Sequence, residues 1–268
     1  MKRLPKHELA RPKPIVWAVY ILLRLIVAGV LVLALLRQDY ESAFTCVLVL
    51  ILYMLPQFVQ RNFRVALPTA MEIIILLFIF AAEILGELGS YFVQYPHWDT
   101  MLHTTTGFLA AAFGYSTVDF LNRHTEKVHL SPIFMALVSF CFAMTIAVLW
   151  EFFEFSVDVL VHTDMQKDTV VHSFASVLLD PTNQNIPIRV DNITDVAVNG
   201  RSLGVEGYLD IGLYDTMEDL FVSFIGALVF SIIGYFSTKR GDGRVEKLVP
   251  TVLPKEQPTQ TNERAVSK

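Results

Sequence analysis

A chain of 268 residues that is 53% hydrophobic and only 18% charged is balanced for lipid, since soluble domains carry about a quarter charged residues. A net charge of −5 is uninformative about partners, and no basic patch interleaved with aromatics points to nucleic acid. Cys46 and Cys141 sit in apolar runs without ligand-like spacing, which excludes a disulfide framework and a thiolate metal site.

Residues 1–14 are basic but interrupted by Pro5, Pro12 and Pro14, and the apolar run after them is too long for a signal-peptide core. A first membrane span is the expectation instead. A bilayer core takes about twenty mainly apolar residues per helix. The segments 15–36, 43–59, 69–88, 98–121, 132–155 and 216–236 qualify, the second least clearly because Pro56 interrupts it. The expected fold class is an all-α membrane protein. It is a six-transmembrane helical bundle with a cytoplasmic segment 1–14, a membrane domain 15–240 and a disordered cytoplasmic tail 241–268.

Orientation follows from Lys and Arg near the span ends. Lys2, Arg3, Lys6, Arg11 and Lys13 precede the first span, Arg61 and Arg64 follow the second, Arg123 and Lys127 follow the fourth, and Lys239 and Arg240 follow the sixth. Residues 89–97 hold neither Lys nor Arg, and the loop 156–215 has only Lys167, Arg189 and Arg201 among many acids. Both termini are therefore expected in the cytoplasm of a multi-pass plasma (inner) membrane protein.

That loop is the one sizeable extramembrane piece. Val170, Val171, Phe174, Val177 and Leu178 recur at helical spacing and predict a short surface or capping helix, stopped by Asp180-Pro181. Alternation over 186–190 and a type I′ turn signal at Asn199-Gly200 predict a small β-meander after it.

Placed by depth, the spans bring their acids to one layer. Glu83 and Glu87 end the third span, and Asp99 and His103 open the fourth within WDTMLHTTTG. Glu151 and Glu154 close the fifth within WEFFEF, followed by Asp158, and Asp215, Glu218 and Asp219 open the sixth. Asp99 and Asp215 are equally well explained as helix N-terminal caps. Glu151 and Glu154 are not, because a helix C-terminus repels anions. Ionisable side chains in spans cost about 2.5–3.5 kcal/mol each on insertion scales and usually face the bundle interior. Some of these carboxylates can be carried protonated. Otherwise a divalent metal neutralises them, with His103 as nitrogen ligand, which is how metal sites in bundles are built. The metal set read here is Asp99, His103, Glu151, Glu154, Asp215 and Asp219, with Glu83 and Glu87 as weaker members. Arg24, in the middle of the first span, must find a carboxylate or carbonyls, or snorkel, with Glu72 as one candidate partner. Gly107, Gly114 and Gly226 predict close helix approach.

The blocks WDTMLHTTTGF, LWEFFEF and DTMEDLFVSFIGA resemble the YjdF-like family of bacterial inner-membrane proteins over the last three spans. By that resemblance the family's polar positions fall on Asp99, His103, Glu151, Glu154, Asp215 and Asp219. The long outer loop departs from the family pattern, and Glu83 and Glu87 do not match it. The resemblance implies no reaction.

Three functions fit these residues. The first is a metal-dependent hydrolase or transferase acting on a lipid or membrane-linked substrate, with Glu154 as general base. The second is a proton or metal-ion carrier, and the third a scaffold whose polar layer fixes helix packing. The partners implied are the bilayer itself and, for the enzyme, a lipid substrate.

Overall fold

The computed structural model describes residues 13–63, 65–124 and 129–252. The expectations resting on Lys2, Arg3, Lys6, Arg11, Arg64 and Lys127 lie outside them. In chain order the helices are α1 (Pro14–Leu36), α2 (Tyr40–Leu52), α3 (Leu55–Phe63), α4 (Thr69–Ile79), α5 (Tyr91–Gln94), α6 (Trp98–His124), α7 (Pro132–Val161) and α8 (Leu213–Arg240). A π-helical stretch, Phe80–Leu88, continues α4 and carries Glu83 and Glu87. The short strands are β1 (Val65–Ala66), β2 (Val170–Val171), β3 (Phe174–Ser176), β4 (Ile188–Val190), β5 (Ala197–Val198), β6 (Arg201–Ser202), β7 (Tyr208–Leu209) and β8 (Thr251–Val252).

Five stretches are long and apolar enough to cross a bilayer: Pro14–Leu36, Tyr40–Asn62, Thr69–Leu88, Pro132–Val161 and Leu213–Arg240. The sixth expected span, α6, has 27 residues and reaches about 40 Å at 1.5 Å per residue. It is less apolar because it holds Asp99, His103 and the threonine run behind them. Pro56 does not break the second span in the middle of a helix. The chain turns at Tyr53 and Met54, and Pro56 falls in the first turn of α3, where its missing N–H costs no hydrogen bond.

The chain divides into two compact units. One holds residues 1–98, 112–139 and 230–268, and the other holds 99–111 and 140–229. The core of the first unit is built from Val16, Leu23, Val27, Cys46, Val49, Tyr53, Leu76, Ile79 and Ile84. Arg24 does not pair with Glu72 there. Its guanidinium lies over the Tyr20 ring, 4.1 Å from the centroid, and donates to the Tyr20 hydroxyl at 2.7 Å. That hydroxyl donates in turn to the Tyr53 carbonyl, while Glu72 accepts from Gln60 at 3.3 Å. A neighbouring aromatic one turn away supplies what a carboxylate was expected to supply.

The segment after Gly241 is not disordered over its first dozen residues. Val245 and Val249 are buried, β8 pairs antiparallel with β1, and Ser116 donates to the Pro250 carbonyl. Arg123 holds Asp119 and Glu246 at 2.8 Å each. Residues 253–268 lie outside the described residues.

In the second unit the expected loop helix is replaced by strands. β2 pairs with β7 and β3 with β4, all antiparallel. Only Val177–Leu179 coils, as a single 3-10 turn. Val170 and Val171 are β-branched and stiff at χ1, which favours the pleated backbone over the helix. The meander is also absent as one sheet: the loop forms separate two-stranded ladders. The hairpin at Asn199-Gly200 is present between β5 and β6, with φ of 56° and 77°, the left-handed pair a type I′ turn requires. Asp180 closes its own turn by accepting from the Thr182 hydroxyl at 2.6 Å and from the amides of Thr182, Gln184 and Ile186.

Candidate metal centre

The site lies within the second unit, where α6 begins, α7 ends and α8 begins. Two glycines set the α6–α8 distance. A Cβ on Gly107 would stand 2.9 Å from the Cα and carbonyl carbon of Ser223 and closer still to its oxygen. A Cβ on Gly226 would stand 3.0 Å from the Phe108 amide and the Thr104 carbonyl carbon and closer still to that oxygen. Small residues therefore let the two backbones touch. The buried Ser223 hydroxyl donates across the seam to the His103 carbonyl at 3.2 Å, fixing the turn that carries the imidazole. Phe140 of α7 meets Phe224 of α8 edge-on, with centroids 5.1 Å apart.

On that frame the side chains converge. His103 Nε2 lies 3.5 Å from Asp99 Oδ1 and 3.6 Å from Asp219 Oδ2, and Nδ1 lies 3.9 Å from Glu151 Oε1. His103, Glu151, Glu154 and Asp219 are 9%, 4%, 7% and 3% exposed, so burial alone sets them apart from surface acids. The donors fall into two groups of three, Asp99 with His103 and Asp219, and Glu151 with Glu154 and Asp219. Within each group one ligand atom per residue lies within 4.8 Å of the others. Asp219 belongs to both.

Four buried oxygens of the site have no hydrogen-bond partner among the described residues: Oε1 and Oε2 of Glu151, Oε2 of Glu154 and Oδ2 of Asp219. Thr216 and Gln166 are the polar neighbours of Glu151, and Gln166 donates its amide to the Thr216 hydroxyl; neither stands in hydrogen-bond geometry to the carboxylate. Among the described residues no Lys or Arg ion-pairs with Glu151, Glu154 or Asp219. The arrangement is a buried set of carboxyl groups and one imidazole with unsatisfied oxygens.

The structure brings together five of the residues read from sequence, Asp99, His103, Glu151, Glu154 and Asp219, in two donor groups, while Asp215 stays within electrostatic reach of them and spends one oxygen on the loop. Asp215 accepts the Lys167 amide at 2.8 Å, tying the loop to the first turn of α8. Asp158 accepts the amides of Met165 and Gln166 and the Thr163 hydroxyl, so residues 163–167 are strung between the two acids. Asp210, not Asp215, serves the helix start, accepting the Tyr214 amide at 2.6 Å and the Thr169 amide at 2.8 Å. Glu83 and Glu87 belong to the first unit. Sequence reasoning missed Trp150, whose indole N–H donates to Glu154 Oε1 at 2.7 Å. Its i,i+4 spacing to Glu154 was the available signal.

Long apolar helices that enclose a buried polar layer define a polytopic membrane protein. Residues 18–240 match the family described as predicted membrane protein (DUF2238), and the chain belongs to that family. The match runs from α1 to the end of α8 and is consistent with the YjdF-like resemblance, which rested on the last three spans alone. No curated protein and no solved structure matches the chain.

Proposed function

We propose that the cluster binds a divalent cation and that the protein is a metal-dependent membrane enzyme acting on a lipid or membrane-linked substrate. One observation carries the cation reading. The separations of 3.5 and 3.6 Å from His103 Nε2 to Asp99 and Asp219 are too long for N–H···O bonds, which fall at about 2.7–3.2 Å. They fit two edges of a ligand tetrahedron, because donors about 2.0–2.2 Å from a tetrahedral ion stand roughly 3.3–3.6 Å from one another. Carboxylate oxygens with one imidazole suit a borderline or hard ion of the zinc, manganese or iron type.

A cation so placed supplies a Lewis acid and a water acidified enough to act as nucleophile near neutral pH. Glu154, with one oxygen held by Trp150 and the other unpartnered, is the group to take that proton. A membrane-linked substrate is favoured by the surroundings. The turn of α7 that buries Glu151 and Glu154 exposes Phe152, Phe153 and Phe155, which puts hydrocarbon beside the carboxylates.

The proposal also sets the site at the extracytoplasmic face of a plasma membrane, with both termini in the cytoplasm. The Lys and Arg residues near the span ends support that orientation. Reporter fusions after residue 240 and within 191–207 test it, the second being active only outside the cytoplasm.

The cation is tested by elemental analysis of full-length protein purified in detergent without chelator, with Glu151→Ala and Asp219→Ala beside wild type. Wild type is expected to hold or take up a divalent ion that both monodisperse variants lose. Wild type that is metal-free and refuses added metal sinks the reading. The chemistry is tested by lipid mass spectrometry of proteoliposomes made from a bacterial lipid extract, with and without chelator. Identical lipid profiles would remove the enzyme and leave a binding protein.

A further inference from the structure

The two donor groups meet in a single side chain. Asp219 completes both the Asp99–His103 group and the Glu151–Glu154 group, and it is 3% exposed, the most buried of the five. We infer that the site holds a pair of divalent cations bridged by the Asp219 carboxylate, one shared with Asp99 and His103, the other with Glu151 and Glu154. This rests on the cation reading above, extends it from one ion to two, and makes Glu154 a ligand of the second ion in place of the base.

The observation that demands the second ion is independent of the first group's geometry. A single cation at Asp99, His103 and Asp219 would engage Asp219 Oδ2 but leave both oxygens of Glu151 and Oε2 of Glu154 buried and unpartnered. Those three atoms belong to side chains more than nine-tenths buried, with no Lys or Arg paired to them among the described residues. One oxygen from each of Glu151, Glu154 and Asp219 falls within 4.8 Å of the others.

Charge gives the same answer. The four donors Asp99, Glu151, Glu154 and Asp219 carry four negative charges when ionised, which two divalent cations cancel with a neutral imidazole, leaving Asp215 beside them with one oxygen on the Lys167 amide. One cation leaves a net double negative charge on carboxylates of which three are more than nine-tenths buried. The imidazole spans the two groups. Nε2 faces Asp99 and Asp219, and Nδ1 faces Glu151 at 3.9 Å, the direction in which a metal-bound histidine commonly presents its second nitrogen to a carboxylate. A one-carboxylate bridge suits ions about 3.5–4 Å apart, the usual spacing of two-metal sites.

Manganese distinguishes one ion from two. Full-length protein in detergent is loaded with Mn²⁺, freed of excess by gel filtration, and examined by elemental analysis and electron paramagnetic resonance. Wild type is expected to hold two Mn²⁺ per chain with a spin-coupled spectrum in place of the isolated six-line signal. The double variant Glu151→Gln with Glu154→Gln is expected to hold one ion and restore the six-line signal, as is Asp99→Asn. Asp219→Asn is expected to lose the coupling. Should Asp219→Asn fail to fold, the stoichiometries of the other two variants decide. One Mn²⁺ per wild-type chain, unchanged in the double variant, overturns the pair and leaves the single site standing. Two uncoupled ions overturn the bridge. No bound Mn²⁺, and no other divalent ion taken up, removes the underlying cation reading as well.

Discussion

Replacing Gly226 by alanine tests the whole construction with one methyl group. The new Cβ would stand 3.0 Å from the Thr104 carbonyl carbon and the Phe108 amide, whereas carbon atoms rest at about 3.5–4.0 Å. The obstacle is backbone of α6, not the end of a flexible side chain, so the helices must part by roughly 0.5–1 Å. Overpacking of that kind costs about 1–3 kcal/mol. The parting also reaches the donors, because His103 precedes Thr104 on α6 and Asp219 lies two turns before Gly226 on α8. A separation of 3.6 Å between His103 Nε2 and Asp219 Oδ2 opens towards about 4.5 Å, while metal sites tolerate about 0.2 Å. Divalent-ion affinity is expected to fall on the order of 10- to 100-fold, the loss typical when a ligand's support is removed. The assay pairs thermal unfolding in detergent with competitive metal titration. A variant with wild-type unfolding temperature refutes the packing argument. One that is destabilised but binds metal as wild type refutes the link between the helix seam and the site.

Two further outcomes follow from single contacts. Trp150→Phe removes the indole donor to Glu154, a charge-assisted bond of about 1.5–3 kcal/mol. It should weaken divalent-ion binding about tenfold, and equal affinity by titration would separate Trp150 from the site. In the loop, the Thr182 hydroxyl, then the Thr182 amide, then those of Ile186 and Gln184 hold the Asp180 carboxyl down at about 2. A depressed carboxyl stabilises the fold above its unfolded value, about 3.9, and that contribution disappears as pH falls through the folded value. Amide exchange at Thr182, Gln184 and Ile186 should therefore stay protected at pH 4 and 3 and lose protection near pH 2. Protection already lost between pH 5 and 4, or unchanged in Asp180→Ala, would contradict it.

The spans were readable because length and apolar content are properties of a segment by itself. The site was readable for a similar reason. Asp99 with His103, Glu151 with Glu154, and the depth of Asp219 are set by helical spacing and by position within a span. What sequence could not decide was which acids a loop would claim. Asp215 and Asp219 lie one turn apart on α8, yet the path of residues 163–167 takes Asp215 for a backbone amide and leaves Asp219 to the core. The loop helix failed because Val170, Val171, Phe174, Val177 and Leu178 satisfy a helical period while their partners, Tyr208–Leu209 and Ile188–Val190, lie far along the chain. The order after Gly241 was hidden in the same way. Val245 and Val249 show no periodicity, and β8 finds β1 across 186 residues. Arg24 was misjudged because an ion pair was sought where an aromatic one turn away sufficed.

Trp150 gives this protein an optical handle of its own. Of three tryptophans, Trp17 and Trp98 belong to the first unit and Trp150 to the second, where its indole N–H is bound to a carboxylate of the site. A cation bound at Glu154 would change the polarity felt by that indole, so emission from Trp150 would report occupancy without an attached dye. The Trp150→Phe protein supplies the blank, and titrations can be followed in intact lipid bilayers.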